Sequence, residues 1–191
     1  MFKAFISLGW ACVTAASMGK YGLRDGAYPF DWVRSQLNGV LHFLENDFED
    51  FLCREHLSED GKIFYDRKWG IEFIHDGSIA TEGEYGNICE KYKRRIQRFR
   101  KTVQEGKVLF VRAIMDQAEV CWVKENSEYI SKIINNFQKE FLTFLMRNPV
   151  LLFGICYFFF FIKFLIFQQF LLRIICLAIR NKFFICIKGT S

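Results

Sequence analysis

Short apolar runs alternate with helical patterns along the first 112 residues. Residues 2–8 form an apolar run of strand length that Gly9 ends, and this run predicts a buried β-strand. The small residues that follow predict a helix that packs closely on a sheet. Residues 107–112 (KVLFVR) predict a second buried strand. Because strands and helices alternate, we expect an α/β fold class with a small, largely parallel sheet and flanking helices.

The stretch between these two strands carries four further patterns. Apolar residues at helical spacing predict a helix over 33–44, and short strands are predicted at 62–65 and 71–74. Residues 78–87 are polar and rich in glycine, which is typical of a loop. A long helix is predicted from Ile88 onward, because one apolar stripe there is flanked by basic residues.

The pattern changes again in the C-terminal third of the chain. Apolar residues between Ile130 and Leu145 keep one face and predict an amphipathic helix. Residues 148–173 then form a hydrophobic segment, and residues 174–191 form a basic tail. We therefore expect a folded domain over residues 1–147, followed by a C-terminal hydrophobic helix.

Two interpretations of the hydrophobic segment stay open. A membrane-spanning helix over residues 149–172 has sufficient length, because about 20 apolar residues cross a bilayer. Lys163 opposes this interpretation at a cost of about 3 kcal/mol, which the surrounding apolar residues offset. The alternative is a reading frame that has run past a truncated domain, by frameshift or intron retention. The first interpretation predicts a cytoplasmic body anchored to a membrane.

The basic charge of the chain belongs to its C-terminal part. The formal net charge is +5, yet none of the 21 acidic residues and six of the 26 basic residues follow Glu140. The first 140 residues are therefore close to neutral, and we expect no nucleic-acid partner.

The cysteine pattern argues against both a disulfide-stabilised fold and a zinc-binding fold. Seven cysteines are scattered along the chain without a C-x-x-C pair. This spacing favours neither a disulfide framework nor a zinc site. We therefore expect a reduced domain without metal or cofactor.

Cys12 lies where the first predicted strand meets the first predicted helix. The first turn of a helix has unpaired N–H groups and a positive dipole end, and both favour a thiolate over a thiol. This is the usual setting of a nucleophilic cysteine, although inert buried cysteines also occur there. The sequence leaves both interpretations open at this point.

His75 is the histidine best placed to act with Cys12, because it also follows a predicted strand. The carboxyl ends of parallel strands meet at one edge of a sheet, so we expect the imidazole and the thiol to approach each other. The imidazole would then take the thiol proton. Asp31 is the better candidate to orient His75, or else it caps the next helix. Asp76 adjoins His75, but neighbouring side chains on an extended chain point apart.

The motifs along this part of the chain resemble those of a bacterial and eukaryotic family of unknown function labelled papain-like cysteine peptidases. The resemblance covers residues 5–112, and it rests on SLGWAC, KYGLR, PFDW, FEDFL, FIHD, KYKRRIQRF and VLFVR in that order. It implies a nucleophile at Cys12 and a histidine at His75 with Asp76 beside it. Within the PFDW and VLFVR motifs, we expect Trp32 and Arg112 to contact the substrate. The resemblance implies a papain-like fold. Papain-like domains place the cysteine on a helix within a helical half, whereas here a predicted strand leads into Cys12.

The function that we expect is a cysteine peptidase or a related thiol-dependent acyl hydrolase or transferase. Its substrate would be a peptide, an amide or an ester. One alternative is a non-catalytic binding module whose basic helix over residues 91–101 contacts phosphate groups. Another is a truncated, inactive copy with a membrane-anchoring tail.

Overall fold

The structure is a computed structural model that describes residues 2–114, 116–136, 140–145 and 184–187. The strands in these residues are β1 (Ala4–Ser7), β2 (Arg34–Ser35), β3 (Leu57–Asp60), β4 (Ile63–Asp66), β5 (Ile71–Phe73), β6 (Val108–Ile114), β7 (Glu140–Leu145) and β8 (Phe184–Ile187). The α-helices are α1 (Cys12–Lys20), α2 (Leu37–Glu45), α3 (Glu82–Glu105), α4 (Gln117–Glu125) and α5 (Ser127–Asn136). A 3₁₀ turn covers Arg54–His56.

The main sheet confirms the parallel arrangement predicted from the two buried apolar runs. Its strand order is β1-β6-β7-β8. β6 pairs in parallel with both β1 and β7, whereas β8 pairs antiparallel with β7. The chain is thus a mixed α/β protein with a small parallel sheet at its centre.

A second sheet is absent from the sequence prediction. Its order is β2-β5-β4-β3, and every pair in it is antiparallel. The predicted strands at 62–65 and 71–74 form β4 and β5, but β2 and β3 were not predicted. β2 has only two residues and β3 reads LSED, so neither carries the apolar alternation that identifies a strand.

Three predicted helix boundaries are wrong. Residues 34 and 35 form β2, so the helix predicted over 33–44 begins only at Leu37. The helix expected from Ile88 begins at Glu82, because Thr81 and Glu84 form a capping box that satisfies the helix N-terminus. The loop predicted over residues 78–87 therefore ends before Glu82, and its remaining residues belong to α3. The amphipathic helix expected to reach Leu145 ends at Asn136, and residues 140–145 form β7 instead.

The predicted hydrophobic helix over 148–173 lies outside the described residues, so it stays a prediction. Four residues of the expected basic tail, Phe184–Ile187, form β8 at the edge of the main sheet. Among the residues that the structure describes, no helix combines the length and the apolar content that a membrane span requires.

Side chains of β1 and β6 alternate between two apolar clusters on opposite faces of the main sheet. Phe5, Leu109 and Val111 pack with Met18 of α1 on one face. Ile6 and Phe110 pack on the other face with residues of α2, α3 and α5. Because side chains alternate along a strand, Arg112 falls on the Phe110 face, where it is the one charged residue of β6.

Candidate functional site

Cys12 is the first residue of α1 and is partly exposed. The preceding loop turns sharply, with φ of +75° at Gly9 and +69° at Trp10. Ala11 occupies the N-cap position without a side-chain hydrogen bond, and the first turn of α1 contains no acidic residue. Neither the N-cap residue nor an acidic side chain of the first turn therefore competes for the N–H groups that every helix leaves unpaired there.

Hydrogen bonds tie the loop before Cys12 to β2. The Trp10 N–H donates to Ser35 Oγ at 3.1 Å, and the Ser35 N–H donates to the Trp10 carbonyl at 3.2 Å. Within the loop, the Gly9 N–H donates to Ser7 Oγ at 3.2 Å, and Thr14 Oγ1 donates to the Gly9 carbonyl at 3.4 Å. Sequence analysis missed Ser35, because nothing in its local pattern indicates a partner 25 residues away.

Arg112 is fully buried beneath this loop, with 0% of its surface exposed. Its Nη1 donates to the Leu8 carbonyl at 2.6 Å and to Ser35 Oγ at 3.1 Å, and its Nη2 donates to the Ser35 carbonyl at 2.6 Å. Glu119 accepts from Nε at 2.6 Å and from Nη2 at 3.0 Å. The guanidinium is engaged by the protein itself, so its surroundings give no support to the substrate contact that we expected.

His75 lies two residues beyond β5, in the antiparallel sheet, and is exposed. The expectation that Cys12 and His75 follow neighbouring strands of one parallel sheet is wrong, because the parallel neighbour of β1 is β6. In the described part of the chain, no hydrogen bond joins Cys12 to His75. The imidazole instead meets the ring of Trp32, with centroids 6.1 Å apart.

Asp31 is buried and is occupied by groups other than His75. Its Oδ2 accepts from Arg24 at 2.8 and 3.0 Å and from the Tyr28 N–H at 2.8 Å, while its Oδ1 is buried without a partner. Burial raises the pKa of the Asp31 carboxyl, although the bonds from Tyr28 and Arg24 oppose this shift. The helix-capping alternative is wrong, because Gln36 occupies the N-cap position of the next helix, α2, and makes no side-chain capping hydrogen bond there.

Asp76 is held by residues of α3, and the extended segment expected at this point is instead a turn at His75 followed by a bend at Asp76. Its side chain is 2% exposed, pairs with Lys91 and accepts from the Tyr92 hydroxyl at 2.7 Å. Burial, together with the nearby Asp76 charge, raises the pKa of Tyr92 well above its usual value. Asp76 therefore fastens the segment after β5 to α3.

Trp32 is partly exposed and contacts both Arg24 and His75. The Arg24 guanidinium lies over its ring, 5.3 Å from the centroid, and His75 packs against its edge. Arg24 belongs to the KYGLR motif, to which the sequence analysis gave no role.

The other two histidines are held by neighbours of their own. His42 stacks on Trp69 with centroids 3.4 Å apart, and burial is the main cause that lowers its pKa. His56 Nε2 lies 3.3 Å from Lys68 Nζ. Both rings therefore contact residues outside the loop that carries Cys12, while His56 Nδ1 is buried without a hydrogen-bond partner.

Four basic residues of α3 contact the protein itself. Lys91 pairs with Asp76, Arg98 donates to the Ala27 carbonyl at 2.6 Å, and Arg100 donates to Asp47 at 2.9 Å. Arg95 lies over the Tyr92 ring, 4.9 Å from its centroid. These contacts use much of the charge that a phosphate-binding face would need. Across the described residues, no three His, Cys, Asp or Glu side chains are grouped as a metal site.

Comparisons with known proteins confirm the family that the resemblance named. A family model described as "Putative papain-like cysteine peptidase (DUF1796)" matches residues 3–153. The chain is also 32% identical over 134 residues to the uncharacterized protein R408 of Acanthamoeba polyphaga mimivirus, a match that covers 56% of this chain. It spans 60% of the length of that relative. No solved structure matches the chain.

Proposed function

This chain belongs to the papain-like cysteine peptidase family whose model it matches, and we propose that it is a thiol-dependent hydrolase or acyl transferase with Cys12 as its nucleophile. One observation carries the proposal: Cys12 is the partly exposed first residue of a helix whose N-terminus no side chain caps. The dipole of α1 and its unpaired N–H groups favour a thiolate there.

The proposed reaction needs few groups. The Cys12 thiolate attacks the carbonyl carbon of a peptide, amide or ester, and the resulting oxyanion accepts hydrogen bonds from N–H groups in the first turn of α1. Collapse of this intermediate forms a thioester and releases an amine or alcohol, which takes the proton from the imidazolium. The imidazolium that protonates this leaving group is the base that took the Cys12 proton. Water, or an acceptor nucleophile in a transferase, then gives its proton to the imidazole and attacks the thioester carbonyl. The C–S bond breaks, the acyl group leaves as a carboxylic acid or as the transferred product, and the Cys12 sulfur takes back the proton.

The other described cysteines are less suited to this role. The Cys53 thiol donates to Glu55 at 3.2 Å, and this hydrogen bond raises its pKa. Cys89 lies within α3 and Cys121 within α4, so neither has the helix N-terminus that supports a thiolate.

We keep His75 as the proposed base, because it is exposed while His42 and His56 are held by neighbouring side chains. Its role requires the His75 imidazole to approach Cys12 from the turn after β5, while the next residue, Asp76, stays anchored to α3. Catalytic hydrogen bonds are often long before substrate binds, so the separation in the free protein is compatible with this role.

Substrate contact is proposed for Trp32 and a positioning role for Arg112. Trp32 offers a partly exposed aromatic surface beside His75. Asp31 and Asp76 hold Arg24, Lys91 and Tyr92 rather than the imidazole, so we propose that both stabilise the site without taking part in proton transfer. No specific observation favours the alternative of a phosphate-binding module, given the internal contacts of α3.

Competitive alkylation of the full chain tests the proposal. The protein is treated with limiting iodoacetamide at neutral pH, and the modified fraction of each cysteine is measured by peptide mass spectrometry. We expect Cys12 to react about tenfold faster than Cys121, because thiolate is the reacting form. Cys121 is the internal control, since it is exposed and lies away from a helix start. Equal rates at Cys12 and Cys121 would refute the proposal.

A further inference from the structure

Trp10 has a backbone conformation that its side chain disfavours. Its φ of +69° lies in the left-handed region, where a bulky residue is strained. Cys12 begins α1 only two residues later. Strain of this kind persists where surrounding contacts impose it, and it is concentrated at functional sites. The contacts that hold Trp10 therefore bear directly on Cys12.

Ser35 hydrogen-bonds both backbone polar groups of Trp10. Its hydroxyl accepts from the Trp10 N–H, and its own N–H donates to the Trp10 carbonyl. The hydroxyl lies so close to Gly9 that a Cβ atom there would be 2.4 Å from Ser35 Oγ. Glycine at this position therefore leaves room for the serine hydroxyl, and its positive φ suits a residue without a side chain.

Arg112 fixes Ser35 from below. Its planar guanidinium reaches the Ser35 hydroxyl, the Ser35 carbonyl and the Leu8 carbonyl, and Glu119 balances its charge. A guanidinium presents its donors in a rigid fork, so these acceptors are held in a fixed arrangement. We name the set Trp10, Ser35, Arg112 and Glu119 the Ser35 junction.

We infer that the Ser35 junction positions the first turn of α1 for the reaction at Cys12, with Ser35 and Arg112 as positioning residues. The inference rests on the proposed function of Cys12. Without the Ser35 hydroxyl, the Trp10 N–H loses its acceptor and the strained loop relaxes. The N–H groups of the first turn then move relative to Cys12 Sγ and stabilise its thiolate less well.

The test compares Ser35→Ala with the matched control Ser58→Ala in the full chain. Ser58 lies on β3, in the same sheet but at its opposite edge. Iodoacetamide rates at Cys12 and Cys121 are measured at neutral pH and at about pH 10, where an ordinary accessible thiol is largely ionised. At neutral pH we expect Ser35→Ala to slow the alkylation of Cys12 about tenfold relative to the wild type and to leave Cys121 unchanged, whereas Ser58→Ala should change neither rate. At about pH 10 we expect Cys12 to react at the same rate in Ser35→Ala as in the wild type.

Several outcomes would overturn the inference. A folded Ser35→Ala variant with the wild-type rate at Cys12 would leave the junction without a role in reactivity. Equal slowing at both pH values would indicate altered access rather than thiolate stabilisation.

Arg112→Lys is the second variant, and we expect the same slowing of Cys12, because an ammonium keeps the charge but lacks the forked donors of the guanidinium. If wild-type Cys12 reacts no faster than Cys121, the proposed function fails and the inference fails with it.

Discussion

Trp32 packs edge-on against His75, with ring centroids 6.1 Å apart and ring planes at 87°. Trp32 also contacts the Arg24 guanidinium, which Asp31 holds through two hydrogen bonds. The Trp32 ring thus links the exposed His75 imidazole to the ion pair between Arg24 and Asp31. It gives the PFDW motif a physical role: Asp31 anchors Arg24, and Trp32 supports the His75 ring.

Replacing Trp32 should impair the site through His75. Trp32→Ala removes the ring edge that limits the orientation of the imidazole, and we expect labelling of Cys12 by a thiol-reactive ester to fall about tenfold. Trp32→Phe keeps an aromatic edge and should retain most of the rate. Labelling rates and thermal melting are measured for both variants. A folded Trp32→Ala variant that labels at the wild-type rate would contradict this role.

Asp31 should make stability depend on pH. Burial raises the pKa of its carboxyl in the folded state above the usual value of about 4, so the folded state binds more protons between these two pKa values. The free energy of unfolding contributed by Asp31 is therefore highest below about pH 4 and falls as pH rises through the folded-state pKa. Asp31→Asn lacks this dependence.

Urea denaturation from about pH 4 to about pH 7 measures the effect of Asp31. The free energy of unfolding of the wild type, minus that of Asp31→Asn, should decrease as pH increases. An increase of this difference with pH would mean that the Arg24 ion pair outweighs burial.

The Tyr92 hydroxyl should contribute to stability through Asp76. Tyr92→Phe removes one of the two groups that satisfy a buried carboxylate, at an expected cost of about 1–3 kcal/mol. The matched control is Tyr129→Phe, which loses a bond to Glu45 at an exposed position and should change stability by less than about 0.5 kcal/mol. Urea denaturation compares the two, and equal effects would argue against a structural role for Asp76.

The parallel core could be predicted because local patterns encode it. The apolar runs of β1 and β6 identify buried strands regardless of their partners. The start of α3 was also within reach, since Thr81 and Glu84 have the spacing of a capping box. The two-residue strand β2 carries no such pattern, and its position depends on pairing with β5.

The site was predictable only in part, because its contacts are long-range. Cys12 follows a recognisable strand and begins a recognisable helix, so its location could be inferred. Arg112 contacts Leu8 and Ser35 across separations of 104 and 77 residues, and no local pattern reveals them. The left-handed conformation of Trp10 likewise arises from tertiary contacts rather than from a residue that favours it.

Trapping of an acyl-enzyme tests the central claim most directly. The full chain is mixed with p-nitrophenyl acetate, and the acetylated residue is identified by peptide mass spectrometry, with Cys12→Ser as the control. The account predicts p-nitrophenolate release with an acetyl thioester on Cys12, and neither product above background in Cys12→Ser. Acetylation confined to lysines or to Cys121, unchanged in Cys12→Ser, would contradict it.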